Sequence, residues 1–335
     1  MIAVGVAGLG YWGPNVVRNF SASPRTQLAW LCDRDPARLG AVAQEHPGVR
    51  CTTRFDEMIA DAHLDAVAIA TPVTTHYRMA KAALMARKHV LVEKPLAASV
   101  DEAAELVELA QRYDRVLLVD HIFLYTPAVQ KMAELIGAGV LGDLLFFDSV
   151  RINLGIFRHD VSVLWDLAPH DLSIIDYLIG REPESVMAIG ARRSAGGLED
   201  VVYLHLEYGN GLLASLHLNW LSPVKVRHFL AGGSRKSILY NDLDASERLK
   251  VYERGVDVSG DPSGIRDVLI SYRSGDVVAP KLDPIEPLCR VVEHLADCIA
   301  GRRTPISDGA QGLRIVRVLE AAQRSLARGS ERAKL

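Results

Sequence analysis

The chain has 335 residues, with 38 basic and 41 acidic side chains and a net charge of −3. Hydrophobic residues make up 49 % and charged residues 24 %, which excludes a disordered chain, and the lack of a basic surplus argues against a general nucleic-acid binder. The length exceeds the roughly 250 residues that one hydrophobic core serves, so two domains are expected.

Residues 2–7 read as a short apolar strand, 8–13 as a turn, and Pro14 as the start of a helix, where its missing N–H is harmless. Residues 28–32 predict a second strand ending at Asp33, and Pro36 opens a helix through Ala43. A short helix at 55–59, a strand at 66–70, a helix at 74–86 and a strand at 89–92 follow. Ser99 and Glu102 have capping-box spacing before another helix, and 116–119 is a further strand. Strand and helix in alternation imply an α/β domain with a doubly wound parallel sheet, placed at 1–120.

After residue 120 the rhythm changes. Residues 127–136 and 161–178 have helical patterns, with Pro169 predicting a helix start or kink inside the second. Strands are expected at 144–152, 185–191, 201–207, 212–218 and 224–230. Asn210-Gly211, within Tyr208-Gly209-Asn210-Gly211, is a strong hairpin signal. Hairpin strands imply an α+β domain with a mostly antiparallel sheet at 121–335. Residues 241–285 mix strand and loop signals, and amphipathic helices at 285–300 and 311–328 close the chain.

Cys32, Cys51, Cys289 and Cys298 form no CxxC pair, so they read as reduced thiols of a cytoplasmic protein, with no metal site expected. The N-terminus lacks the basic region of a signal peptide. No apolar run reaches the roughly 20 residues of a membrane span, so no membrane partner is expected.

Three constellations carry chemistry. Gly8-Leu9-Gly10-Tyr11-Trp12-Gly13 lies between a strand and a helix, the setting in which GxGxxG holds a dinucleotide. Gly8 allows the tight turn, Gly10 lets a pyrophosphate approach, and Gly13 allows close packing of helix and strand. The helix N-terminus attracts phosphate through its N–H groups and dipole. Asp33, twenty residues beyond Gly13, can accept the ribose hydroxyls and would repel a 2′-phosphate, which favours NAD over NADP. Arg34 and Arg38 nearby could instead receive that phosphate. Glu93-Lys94-Pro95 follows a parallel strand, so Lys94 stands at the ligand-facing end, able to polarise a substrate oxygen. Alone, the tripeptide would read as a solvated loop. In Trp165-Asp166-Leu167-Ala168-Pro169-His170-Asp171, Asp166 and His170 lie at i and i+4, so a general base could share a helix face with a carboxylate. A buried structural histidine would fit the same spacing.

AGLGYWG at 7–13, ATPVTTHY at 70–77, HVLVEKPLA at 89–97 and WDLAPHD at 165–171, in this order, resemble the glucose-fructose oxidoreductase / inositol dehydrogenase / rhizopine catabolism (Gfo/Idh/MocA) family. The resemblance covers nearly the whole chain. It implies an NAD(P)-binding Rossmann domain, an α+β domain with a large open sheet, and oxidation or reduction of a sugar or cyclitol hydroxyl. It implies Lys94 as the catalytic lysine, His170 as acid/base and Asp166 as its partner. Tyr11, Trp12, Thr71, Pro72 and His76 would line the cofactor crevice, Glu93 would support the nicotinamide side, and the Lys94–Pro95 peptide would be cis as in some relatives. His121, Tyr125, Arg151, Asn153, Arg158 and Trp165 are the substrate-contact expectations, with His159 beside them. Two departures, Leu124 where many members carry Arg and Val163-Leu164-Trp165 where many carry glycines, resemble the branch acting on nucleotide-linked sugars. An inositol or free-polyol dehydrogenase is the alternative within the class; a non-catalytic dinucleotide-binding regulator is the alternative outside it. The family's habit of covering the open sheet with a second subunit implies a homodimer or homotetramer.

Overall fold

A computed structural model describes residues 1–155, 161–194, 197–259 and 269–335. The chain divides into two compact units, Met1–Thr126 with Ile285–Glu320, and Pro127–Pro284 with Ala321–Leu335. The C-terminal segment 285–320 therefore packs with the first unit rather than with residues 127–284.

The first unit begins with β1 (Ile2–Ala7), α1 (Gly13–Ala22), β2 (Thr26–Cys32), α2 (Pro36–Gln44), β3 (Arg50–Thr52) and α3 (Phe55–Ile59). It continues with β4 (Ala66–Ile69), α4 (Val73–Met85), β5 (His89–Glu93), α5 (Val100–Arg112), β6 (Leu117–Asp120) and a 3₁₀ turn, Ile122–Tyr125. The six strands are parallel in the order β3-β2-β1-β4-β5-β6. That is the doubly wound dinucleotide-binding order, with its reversal between β1 and β4. The central strands are apolar along their length because helices cover both faces: every residue of β4 is buried. β3 is a strand that periodicity does not announce, since three residues, two exposed and one buried, are too few to carry a pattern. At α5, the Ser99 hydroxyl accepts the Glu102 N–H at 3.2 Å, as the capping box requires, while the Glu102 carboxylate reaches the Ala98 N–H instead of that of Ser99.

The second unit contains α6 (Pro127–Gly137), β7 (Leu144–Leu154), α7 (Val163–Ile179), β8 (Ser185–Ala191), β9 (Val201–Glu207), β10 (Leu213–Asn219) and β11 (Leu221–Gly233). Then come β12 (Ser237–Asn241), β13 (Leu249–Tyr252), β14 (Gly255–Ser259), β15 (Leu269–Arg273) and β16 (Val277–Val278). The chain ends with α8 (Pro287–Ile299), α9 (Gly309–Ala327) and β17 (Ala333–Lys334). Nine strands form one sheet in the order β16-β13-β12-β11-β7-β10-β9-β8-β17, and β14 and β15 form a separate antiparallel pair. The sheet is mostly antiparallel, but β7 and β10 run parallel side by side. Hairpin logic misses that pairing because two hairpin-related strands, β8 and β9, lie between them in sequence. β9 and β10 do form the expected hairpin, with Gly209, Asn210 and Gly211 all at positive φ.

In β9, Val202, Leu204 and Leu206 are buried and alternate with residues on the open face. α7 lies on the buried face against β7, β9 and β10. It continues through Pro169, so the helix does not begin there, and its C-terminus stops at Gly180 with φ +74°. Arg151 on β7 pins it: the guanidinium Nε and Nη2 donate to the two Asp171 carboxylate oxygens at 2.9 and 2.8 Å, with both side chains buried. Removing one partner of such a pair would leave a buried charge, so the pair fixes the rotation of α7. In the first unit, α8 packs on α1, and the residues before α9 join the β6 edge, where Val119 N–H donates to the Ser307 carbonyl at 2.8 Å. Among the described residues no helix is long and apolar enough to cross a membrane.

Candidate active site

The glycine-rich turn connects β1 to α1. Gly8 has φ +92°, and a Cβ there would lie 2.5 Å from the Ala70 carbonyl oxygen, so the turns after β1 and β4 meet at this residue. A Cβ on Gly13 would lie 2.0 Å from the Gly8 carbonyl oxygen. The crowding at Gly13 is thus within the turn itself, not only between helix and strand. Gly10 differs: a Cβ there would meet only the Arg38 guanidinium, at 3.7 Å. Its lack of a side chain keeps the approach from outside open. No side-chain cap closes the N-terminus of α1. Asp33 is buried, and its Oδ2 accepts the Leu9 N–H at 2.6 Å while Oδ1 accepts the Asp35 N–H at 2.9 Å. It shapes the turn and still offers lone pairs to ribose hydroxyls. Arg38 pairs with Asp35 at 3.3 Å on the surface. The open Gly10, the uncapped helix start and the Asp33 carboxylate fit a dinucleotide, whose nicotinamide accepts or releases hydride when bound. Tyr11, 87 % exposed, lies on the outside of the turn.

At the end of β4, Thr71 Oγ1 and Thr75 Oγ1 lie 2.7 Å apart, and Pro72 precedes α4. His76 is buried between the carbonyls of Pro95 and Thr71, each 2.8 Å from a ring nitrogen. Burial holds its pKa below the ordinary value, against the pull of the two carbonyls. His76 therefore clamps the turns after β4 and β5 together. The Lys94–Pro95 peptide is cis, as the resemblance implied. Lys94 is half-buried at the end of β5. Beside it, burial and the neighbouring Asp120 push Glu93 well above the usual carboxyl range. Asp120 carries no motif signal. The available sign is that β5 and β6 both pass from an apolar run to a terminal acid. His121, next along, is buried, and burial with the nearby Lys94 charge holds it down to about 3.

Asp166 and His170 both lie on the continuous α7, one turn apart and half-buried. The expected i, i+4 spacing is thus realised. Trp165 is also half-buried there, and Asn153 is half-buried on β7. Two substrate expectations meet other partners: Arg151 holds Asp171, and the buried Tyr125 hydroxyl lies 2.9 Å from Ser307 Oγ. Arg158 and His159 lie outside the described residues. Among the described residues no cluster of His, Cys, Asp or Glu could hold a metal.

The profile of an oxidoreductase family with an NAD-binding Rossmann fold matches residues 2–121, and that of the GFO/IDH/MocA C-terminal domain matches residues 129–239. An uncharacterised oxidoreductase of Synechocystis is 36 % identical, over 91 % of this chain and 88 % of its own. UDP-N-acetylglucosamine 3-dehydrogenase of Acidithiobacillus ferrooxidans is 29 % identical over 93 % of each chain. A crystal structure of that enzyme covers 98 % of this chain and 99 % of its own with a TM-score of 0.83 and 26 % identity. Inositol 2-dehydrogenase 2 of Saccharopolyspora erythraea is 31 % identical over 64 % of this chain and 66 % of its own. This chain belongs to the Gfo/Idh/MocA family of NAD-dependent oxidoreductases.

Proposed function

We propose that this enzyme moves a hydride between NAD and a ring carbinol of a nucleotide-linked sugar, of the UDP-N-acetylglucosamine type. The observation that carries the reading is the likeness to a UDP-N-acetylglucosamine 3-dehydrogenase over nearly the whole of both chains. In the oxidation, the carbinol C–H leaves as hydride and the hydroxyl proton passes to His170. The Lys94 ammonium stabilises the negative charge that builds on the oxygen. Asp166, one turn before His170, steadies the imidazolium that forms. Reduction reverses each step. Asn153 and Trp165 are the described side chains offered to the sugar.

The kinship with an inositol 2-dehydrogenase favours a free cyclitol as the second reading. A panel of UDP-N-acetylglucosamine, its uronate and myo-inositol, incubated with NAD and followed by NADH absorbance, separates the two. Turnover of a UDP-sugar is expected. Turnover of inositol alone would move the assignment to the polyols, and reduction of NAD by none would favour the non-catalytic regulator. K94A and H170A should each lower kcat by about 10²–10⁴-fold on the responsive sugar. Near-normal rates in both would overturn the roles.

We infer also that a second copy covers the open face of the nine-stranded sheet. Ile189, Tyr203, His217 and Val150 form an outward row in register across β8, β9, β10 and β7, with Tyr203 and His217 stacked at 4.4 Å. The four unpaired thiols support a reducing compartment, the cytoplasm.

A further inference from the structure

Two neighbouring strands of the Rossmann sheet end on an acid. The register places Glu93, last in β5, opposite Asp120, last in β6, and their carboxyls lie close enough to interact. Among the described residues no other donor reaches Glu93 Oε1 or Asp120 Oδ1, and both atoms are shut away from solvent. Two ionised carboxylates in that setting would repel with little screening. One proton held between them satisfies both oxygens at once. Burial pushes both carboxyls above their ordinary range, so the pair keeps one proton between them.

The pair has two further bonds. The Trp12 indole Nε1–H, from the glycine-rich turn, donates to Asp120 Oδ2 at 3.4 Å. The backbone N–H of Lys94 donates to Glu93 Oε2 at 3.3 Å. His76 and His121 also feel the Lys94 charge, both buried and held below their ordinary range.

We propose that Asp120 is a positioning residue that closes one hydrogen-bonded chain from the dinucleotide turn to Lys94. Trp12 donates to Asp120, Asp120 and Glu93 share one proton, and Glu93 accepts from the Lys94 backbone. The chain holds the turn that faces the pyrophosphate at a set spacing from the lysine, and hydride transfer depends on such spacing. The inference rests on the role proposed above for Lys94.

The test uses the full-length protein. It contains four tryptophans, so its indole N–H spectrum is simple, and W12F assigns the Trp12 signal. D120L should move that signal to the position of a weakly bonded indole and lower kcat by about 10- to 100-fold. E93Q, whose amide keeps a donor facing Asp120, should leave the Trp12 signal in place, whereas E93A should shift it. An unmoved signal in D120L would overturn the proposal, as would E93Q and E93A shifting it equally. Should D120L fail to fold, carboxyl carbon-13 spectra of the unaltered protein decide: one carboxyl of the pair protonated at pH 7 supports the shared proton, and both ionised there overturns it. The indole and carboxyl signals need no substrate. If they behave as expected while no sugar reduces NAD, the functional reading fails and the positioning chain stands.

Discussion

His121 is buried with neither ring nitrogen meeting a hydrogen-bond partner among the described residues. Its proton affinity is consequently low, with a folded value of about 3 against an ordinary 6.5. Below about pH 6.5 the unfolded chain takes up a proton that the folded one refuses, so stability falls as pH drops from 6.5 toward 3. His89, held down to about 4 by burial and the Arg115 charge, works in the same direction. Glu93 works in the opposite sense, because it keeps a proton that the unfolded chain releases above about 4.5. Urea midpoints measured at pH 7 and pH 4.5 should show the unaltered protein losing about 2–3 kcal/mol more than H121F over that range. Parallel pH curves for the two proteins would remove His121 from the account. At this scale the motif residues Gly8, Lys94 and His170 are legible in the sequence. Asp120 and the Arg151–Asp171 pair are not, since each gains its meaning from a residue on another element.

The elements separate two glycines of the same motif. Gly13 faces the Gly8 carbonyl at a distance no Cβ tolerates, while Gly10 faces open space apart from one flexible guanidinium. G13A should therefore lose both thermal stability and NAD affinity. G10A should keep a melting temperature close to the parent while losing NAD affinity, because its methyl group obstructs the bound pyrophosphate rather than the turn. Thermal unfolding and NAD titration of the two variants check this, and an unchanged NAD affinity in G10A would place the pyrophosphate elsewhere. The course of α7 through Pro169 sets aside one of the two local readings, a helix start at that proline. Pro169 is buried on a helix held by the Arg151–Asp171 pair, and packing outweighs the lost backbone bond. β1, α3, β8 and β9, by contrast, coincide with their sequence-predicted ranges, because their apolar periodicity and bounding turn residues are local.

For the whole molecule, the nine-stranded sheet sets the main expectation. Its outward row of Ile189, Tyr203 and His217 offers a second copy an apolar and aromatic surface. Light scattering should report the mass of two or four chains, and Y203E should reduce it toward one. A monomeric mass for the unaltered protein would contradict the inference. The sequence by itself determined the strand–helix alternation of the first domain apart from β3, the dinucleotide turn and the i, i+4 placement of Asp166 and His170, because each follows from residue period or backbone sterics within one segment. Only the tertiary structure decided that residues 285–320 return to the first unit, that β7 pairs in parallel with β10, and that Trp12, Glu93 and Asp120 meet. Trp12 and Asp120 stand 108 residues apart, and no local periodicity encodes a contact across that distance; the parallel register of β5 and β6 creates the acid pair to which Trp12 bonds.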